Sequence, residues 1–407
     1  MQKKTRTTTA LAALLAGGLA LTGCASGGST ASTSASTSTP SGSSDEHSGS
    51  DGSGAIAVTY DGGIYLLDPD TLEVTKDIPL AGFNRLNPAG DDRHLFVSTS
   101  SGFTLLDAEA GALTDQTFGG EKPGHVVRHD GRTVLFTDGT GEVEIFDTHD
   151  IEHASDDGAE ALEPEETYKT ADAHHGVAVE LANGELVVTL GTEESRPGII
   201  VLDENRTEIA RNEDCLGVHG EATAQDEAVV IGCESGVLIY QDGQITKVPS
   251  PDAYGRIGNQ AGSDESPITL GDYKTDKDAE LERPERISLI DTRTQELKLV
   301  DLGTSYSFRS LARGPHGEGL VLGTDGAIHV IDPEAGTVEN SIPVIAEWTE
   351  PLDWQQPRPT IFVRDHVAYV TEPASNKIHA VDVESGKILT TATLPEASNE
   401  LSGVLAH

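Results

Sequence analysis

One hairpin recurs along this chain, and it narrows the possible folds more than any other feature. It appears first as Ile64-Tyr65-Leu66-Leu67-Asp68, then as Thr104-Leu105-Leu106-Asp107 and Val143-Glu144-Ile145-Phe146-Asp147. It returns as Ile199-Ile200-Val201-Leu202-Asp203, Val237-Leu238-Ile239-Tyr240 and Ile287-Ser288-Leu289-Ile290-Asp291. The last copies are Ile328-His329-Val330-Ile331-Asp332 and Ile378-His379-Ala380-Val381-Asp382. Most run into an Asp-x-x-x-Gly or Asp-x-x-x-Glu turn and a further short strand. A second apolar strand ending in a glycine turn precedes each, as in Val134-Leu135-Phe136-Thr137-Asp138-Gly139. β-Branched runs punctuated by turn residues indicate an all-β fold. A period of about 40 to 45 residues with four short strands per unit is the pattern of a β-propeller blade.

The hairpins imply eight blades. Seven is the alternative, because the fifth hairpin lacks its Asp and the sixth repeat is irregular. The first repeat begins mid-blade at Ala55-Ile56-Ala57-Val58, so Gly403-Val404-Leu405-Ala406 is expected to supply the missing strand and close the ring. The acidic run 159–167 and the charged run 276–286 read as surface insertions within blades.

The domain organisation expected is 1–23, 24–54 and 55–407. Residues 1–23 read as an export signal: Lys3, Lys4 and Arg6 precede an apolar run, Ala10 to Leu21, that is shorter than the roughly 20 residues a bilayer span needs. The run ends in Leu21-Thr22-Gly23-Cys24, a bacterial lipobox in which Cys24 is lipidated. An ordinary cleaved signal is the alternative. Residues 24–54 are almost entirely Ser, Thr, Gly and Ala and read as a flexible tether carrying His47. The protein is therefore expected outside the cytoplasm, lipid-anchored to the membrane.

A formal net charge of -41 argues against nucleic acid and anionic membrane surfaces as partners, and it concentrates cations locally. With Cys24 assigned to the lipid, Cys215 and Cys233 remain. In an oxidising compartment the pair suggests a disulfide, closing a short loop worth roughly 3 kcal/mol; two thiol metal ligands are the alternative.

Aligning the entry to each inner strand singles out three consecutive blades. The third opens with Gly124-His125-Val126, the fourth with His174-His175-Gly176-Val177, and the fifth with Gly217-Val218-His219-Gly220-Glu221. The second and seventh have Asn84-Arg85-Leu86 and Phe308-Arg309-Ser310 there, so the repeat itself does not demand histidine. Three converging imidazoles supply three of the four ligands of tetrahedral zinc, with Glu221 or water as the fourth. Copper and nickel also accept imidazole, although no methionine follows the initiator. The competing reading is structural: a histidine at a strand mouth hydrogen-bonding an Asp, as His125 with Asp130. His149 and His153, beside Asp147, Asp150, Asp156 and Asp157, are either a weaker exposed site or a solvated loop. His329 and His379 alternate within strands and read as structural. His129, His366 and His407 are expected in turns or at the chain end, and Trp348 and Trp354 as packing or rim residues. No Gly-x-Ser-x-Gly, phosphate-binding glycine loop or His-Glu-x-x-His is present.

His174-His175-Gly176-Val177-Ala178-Val179, Asp214-Cys215-Leu216-Gly217-Val218-His219-Gly220-Glu221 and Gly232-Cys233-Glu234-Ser235-Gly236-Val237-Leu238 carry a resemblance to the AztD-type zinc metallochaperones of bacterial zinc-uptake operons. The resemblance runs from about Ala55 to the C-terminus. It implies an exported, non-enzymatic propeller that binds Zn2+ and hands it to the solute-binding protein of a zinc ABC transporter. It also implies His125, His175 and His219 as ligands, with His174 as competitor or supporting partner of His175. The family's His-rich flexible segment is reduced here to His47 or the His149/His153 loop. A propeller enzyme with a metal-dependent hydrolase or lactonase-like site, and a scaffold with purely structural histidines, are the alternatives.

Overall fold

The computed structural model describes residues 54–156, 158 and 160–405. Cys24, the signal and tether segments, His47, Asp157 and His407 lie outside the described residues. The fold is a β-propeller. Among the described residues the strands form eight antiparallel four-stranded sheets, each a blade; seven take their strands in chain order, and one joins the last strand of the chain to the first three.

The ring is closed as the half-blade at the start of the repeat requires. Ser398–Gly403 pairs antiparallel with Ile56–Tyr60, setting Ile56 opposite Gly403 and Val58 opposite Leu401. The closing strand thus begins five residues before the segment expected from sequence. Val404 follows it with its amide bonded to the Ala55 carbonyl and its side chain fully buried. Closure leaves neither the first nor the last repeat with a bare edge.

Burial on both faces of the sheets explains why the strands read as continuous apolar runs. Ile56 and Val58 pack toward the eighth blade with Tyr369, Ile378 and Ala380. Their neighbours Ala55 and Ala57 pack toward the second blade with Leu86, Leu95 and Val97. Successive side chains on a strand point to opposite faces, so one strand serves two interblade cores.

The recurrent Asp has a local cause. Asp107, Asp332 and Asp382 each accept, at the side chain, the amide of the residue three further on (Ala110, Ala335, Ser385). Their main-chain carbonyls accept from Gly111, Gly336 and Gly386. Those glycines have φ of 67°, 61° and 67°, the left-handed region that L-residues enter at a cost. Where the repeat lacks the glycine the geometry persists: Leu72 and Gln295 both adopt φ of 58°.

The sixth repeat is irregular because its first strand has shrunk to Gln260–Ala261, while 276–285 lie in a long loop ahead of the strand Arg286–Asp291. The run 159–167 is only partly an insertion, since Glu166–Lys169 is the outermost strand of the third blade. His149 lies in a short helix, Thr148–Glu152, that His153 caps. Among the described residues no helix is long and apolar enough to cross a membrane.

Candidate metal centre

His125 sits near the start of the third blade's inner strand, Pro123–His129. His175 and His219 each lie just before the inner strands Ala178–Glu180 and Glu221–Ala224. Equivalent positions in consecutive blades meet at one end of the axial channel. The ring centroids are 5.2 Å apart for His125 and His175, 5.7 Å for His125 and His219, and 4.9 Å for His175 and His219. One ring nitrogen from each lies within 4.8 Å of the others. Zn–N bonds of about 2.1 Å in a tetrahedron imply a spacing of roughly 3.4 Å, which small ring rotations reach.

His175 and His219 are oriented through Nδ1. His175 Nδ1 is 2.5 Å from Asp138 Oδ2, whose other oxygen accepts the Gly176 amide at 3.3 Å. His219 Nδ1 is 2.5 Å from the Gly258 carbonyl. His125 Nδ1 lies 3.4 Å from Glu221 Oε2. For His175 and His219 the partner is an acceptor, so Nδ1 carries the proton and the Nε2 lone pair is left for a cation.

A glycine lies beside each histidine, where a side chain would collide with its surroundings. A Cβ on Gly124 would meet Asp138 Oδ1 at 2.2 Å, and one on Gly176 would meet the Phe136 ring at 2.3 Å. Gly220 has φ of 71°, and a Cβ there would meet the Gly258 carbonyl at 2.4 Å.

His174 does not join this group. It is buried, with Nδ1 2.9 Å from the Asp172 carbonyl and Nε2 3.0 Å from Thr189 Oγ1, and it packs edge-on against Phe136. Both nitrogens are engaged, so in this conformation it is a packing residue. Glu221 also leaves the role expected for it. It stands behind His125 Nδ1, outside the set of mutually close donors. The structural bond expected between His125 and Asp130 is replaced by this contact with Glu221.

The fifth-blade loop is stitched on several sides. Cys215 and Cys233 form a disulfide, with Cα atoms 5.6 Å apart. The His219 amide donates to the Gly232 carbonyl, and the Glu234 amide to the Leu216 carbonyl. Lys247 Nζ lies 2.8 and 3.0 Å from the two sulfurs, and burial pulls its ammonium down to about 8. Arg196 donates to the His175 carbonyl and Arg256 to the Gly217 carbonyl. Burial, then the charges of His125 and His175, holds His219 well below the usual imidazole range, with the Gly258 carbonyl opposing. A neutral imidazole is the form that binds a metal.

The mouth is open on this side: the His175 side chain is 39% exposed and that of His125 23%. Across the ring the same positions are closed by ion pairs. Arg309 contacts Glu400 and donates to Asn399, Arg85 lies 3.8 Å from Glu400, and buried Arg358 pairs with Glu350 at 2.6 Å.

Over 292 residues the chain is 27% identical to the zinc chaperone AztD of Citrobacter koseri, a match covering 69% of this chain and 65% of that relative's length. The structure of apo AztD from C. koseri superposes with a TM-score of 0.72 at 22% identity, covering 87% of this chain and all of the other. In sequence and fold, the chain is similar to AztD. A further AztD structure gives a TM-score of 0.71 at 22% identity, over 87% of this chain and 99% of that one. The dihydro-heme d1 dehydrogenase NirN shares the propeller more distantly, with a TM-score of 0.56 at 12% identity, over 88% of this chain and 76% of NirN. No protein-family model matches the chain.

Sequence reasoning missed Asp138, the Gly258 carbonyl and His94. Asp138 had a readable signal, since the turns after second strands face the same mouth as the entries to first strands. His94 is fully buried, bonded to Asp91 and to Ser155 Oγ, and fastens the helical insertion to the second blade.

Proposed function

We propose that this protein is an extracytoplasmic zinc chaperone. It holds one Zn2+ as cargo on His125, His175 and His219 at the open end of the channel and passes it to the solute-binding protein of a zinc ABC transporter. Lipidation of Cys24 and the 24–54 tether keep the propeller at the membrane beside that partner.

The observation that carries the reading is the triad itself: three imidazoles from consecutive blades, two of them held by separate acceptors at Nδ1, with one ring nitrogen from each within 4.8 Å of the others. Imidazole donors suit zinc. The exposed edge at His175 suits release by ligand exchange, because an incoming donor reaches the ion from there. Arg196 and Arg256 place positive charge beside the triad and temper its hold on a cation. The reading is non-enzymatic. Asp138 and Glu221, the carboxylates nearest the triad, are each committed to an imidazole, which leaves neither as a general base for hydrolysis.

The test is zinc stoichiometry and affinity on the full chain beside His125→Ala, His175→Ala and His219→Ala, followed by transfer to the zinc-free solute-binding protein. One tight equivalent, lost in each variant without a matching loss of folding, is expected. Transfer should run faster than release into a chelator. Absence of tight zinc, or transfer no faster than spontaneous release, would sink the proposal.

A further inference from the structure

The loop that leads into the eighth blade's first strand, Ile361–Arg364, holds two large apolar side chains out in water. Leu352 is 62% exposed and Trp354 51%. Covering such groups is favourable, yet the loop is tied so that they stay out. Buried Arg358 bonds the Glu350 carboxylate at 2.6 Å and the Asp353 carbonyl at 2.8 Å, clasping the turn from within. Arg283 donates to the Glu350 carbonyl, and Asn399 to the Gln355 carbonyl. The Trp348 indole nitrogen donates to the Gly323 carbonyl. The Trp354 ring stands edge-on to Phe83, with centroids 5.1 Å apart. Both apolar groups are thus presented on a preorganised backbone, which lowers the ordering cost of binding.

These residues stand at the same mouth as the triad. Phe83 leads into the second blade's inner strand, Arg85–Pro88, as the residues before His125 lead into the third. Asn399, which holds the loop, is the second residue of the first blade's inner strand, Ser398–Gly403. The loop therefore reaches over the entries of the first and second blades, and His125 opens the next. A cation lies close by. The Arg85 side chain is 47% exposed and 3.8 Å from Glu400, a carboxylate that Arg309 already engages. Arg85 so keeps donors for a further carboxylate. On a chain of net charge -41 most of the surface repels an acidic partner, and an exposed guanidinium beside an apolar anchor selects where one can dock.

We propose that Leu352, Trp354 and Arg85 form the docking surface for the protein that accepts the zinc, and that this acceptor brings an apolar pocket with a carboxylate at its lip. The proposal rests on the chaperone reading. Ligand exchange needs a donor of the acceptor within bonding distance of the ion, so the acceptor must cover this mouth and meet the rim side chains that stand in water there. Tryptophan and arginine are the residue types on which interface energy concentrates. None of the three side chains belongs to the zinc-binding donors, so they set how tightly the acceptor docks and not how tightly the ion is held.

The experiment follows zinc transfer from the loaded full chain to the zinc-free solute-binding protein across a range of acceptor concentrations, for the parent, Trp354→Ala, Leu352→Ser and Arg85→Glu. All three side chains are exposed, so zinc affinity and melting should match the parent. Trp354→Ala is expected to raise the half-saturating acceptor concentration about tenfold or more, with the plateau rate unchanged and Trp354→Phe recovering most of the loss. Leu352→Ser should raise it less. Arg85→Glu should raise it at low salt, with the effect shrinking as salt screens the charge. A parent that transfers zinc faster than it releases it to a chelator, while Trp354→Ala and Leu352→Ser transfer as the parent does, overturns the docking surface and leaves the chaperone reading standing. A parent that transfers no faster than it releases overturns both. A dimer of the full chain that Trp354→Ala disperses, with transfer unchanged, assigns the loop to self-association and also overturns the proposal.

Discussion

Asp138 reaches from the turn after the second strand of the third blade to grip His175 of the fourth, with Oδ2 2.5 Å from Nδ1 and Oδ1 on the next amide. One carboxylate therefore sets both the ring and the backbone that carries it. Asp138→Asn should weaken zinc binding by about 10- to 100-fold, the usual cost of losing such a partner, while leaving the melting temperature nearly unchanged. Competition with a chromophoric chelator reads the affinity. An unchanged affinity would show that His175 orients itself or takes no part.

Acid should weaken the metal-free protein through His219. Burial depresses its folded-state affinity for protons, whereas the unfolded imidazole titrates near 6.5. The unfolded state then binds more protons than the folded one as pH falls below that value, so stability falls with it. The contribution is whole above about pH 6.5 and is lost progressively below it, until the folded ring also protonates. Melting of the zinc-free protein across pH 7.5 to 5 should show this slope. In His219→Gln the slope should be shallower, and an identical slope would remove His219 as its source.

The disulfide should serve both stability and the site. Cys215→Ala/Cys233→Ala is expected to lower unfolding free energy by about 3 kcal/mol on the loop-entropy account. It should also weaken zinc, because Cys215 anchors the loop that ends in His219. Urea unfolding and chelator competition measure the two effects. Loss of stability with zinc affinity intact would confine the bond to a structural role.

A turn glycine and a strand glycine predict a graded pair. At Gly386 an added Cβ meets only Ile342, at 3.4 Å and beyond, so Gly386→Ala should cost the left-handed strain alone, about 1–2 kcal/mol. At Gly198 a Cβ would sit 1.8 Å from the Asn212 carbonyl, across the pairing with the outer strand. Gly198→Ala should therefore be clearly the worse of the two in urea unfolding, and equal costs would refute the steric account.

The blade was legible because its determinants are local. Strand pairing within a hairpin, the Asp that caps the next turn and the glycine with positive φ all lie within a few residues of one another. Repetition then multiplied a weak signal into an architecture. The histidine entries at His125, His175 and His219 were legible for the same reason, as departures from a repeat that elsewhere carries Asn84-Arg85 or Phe308-Arg309.

What lay beyond the sequence is whatever depends on contacts between blades. The choice of His175 over His174 rests on which ring meets Asp138 from the neighbouring blade and which is taken up by Asp172 and Thr189. The displacement of Glu221 from ligand to anchor rests on its distance from His125, and the closing strand at Ser398 on its register with Ile56. Sequence alone determined the repeat, the need for a closing strand and the three blade entries that carry histidine, because short-range backbone chemistry specifies them. The tertiary structure decided which nitrogen of His175 and of His219 is engaged and which rings face open water, because those follow from atoms brought together across about 40 residues of chain.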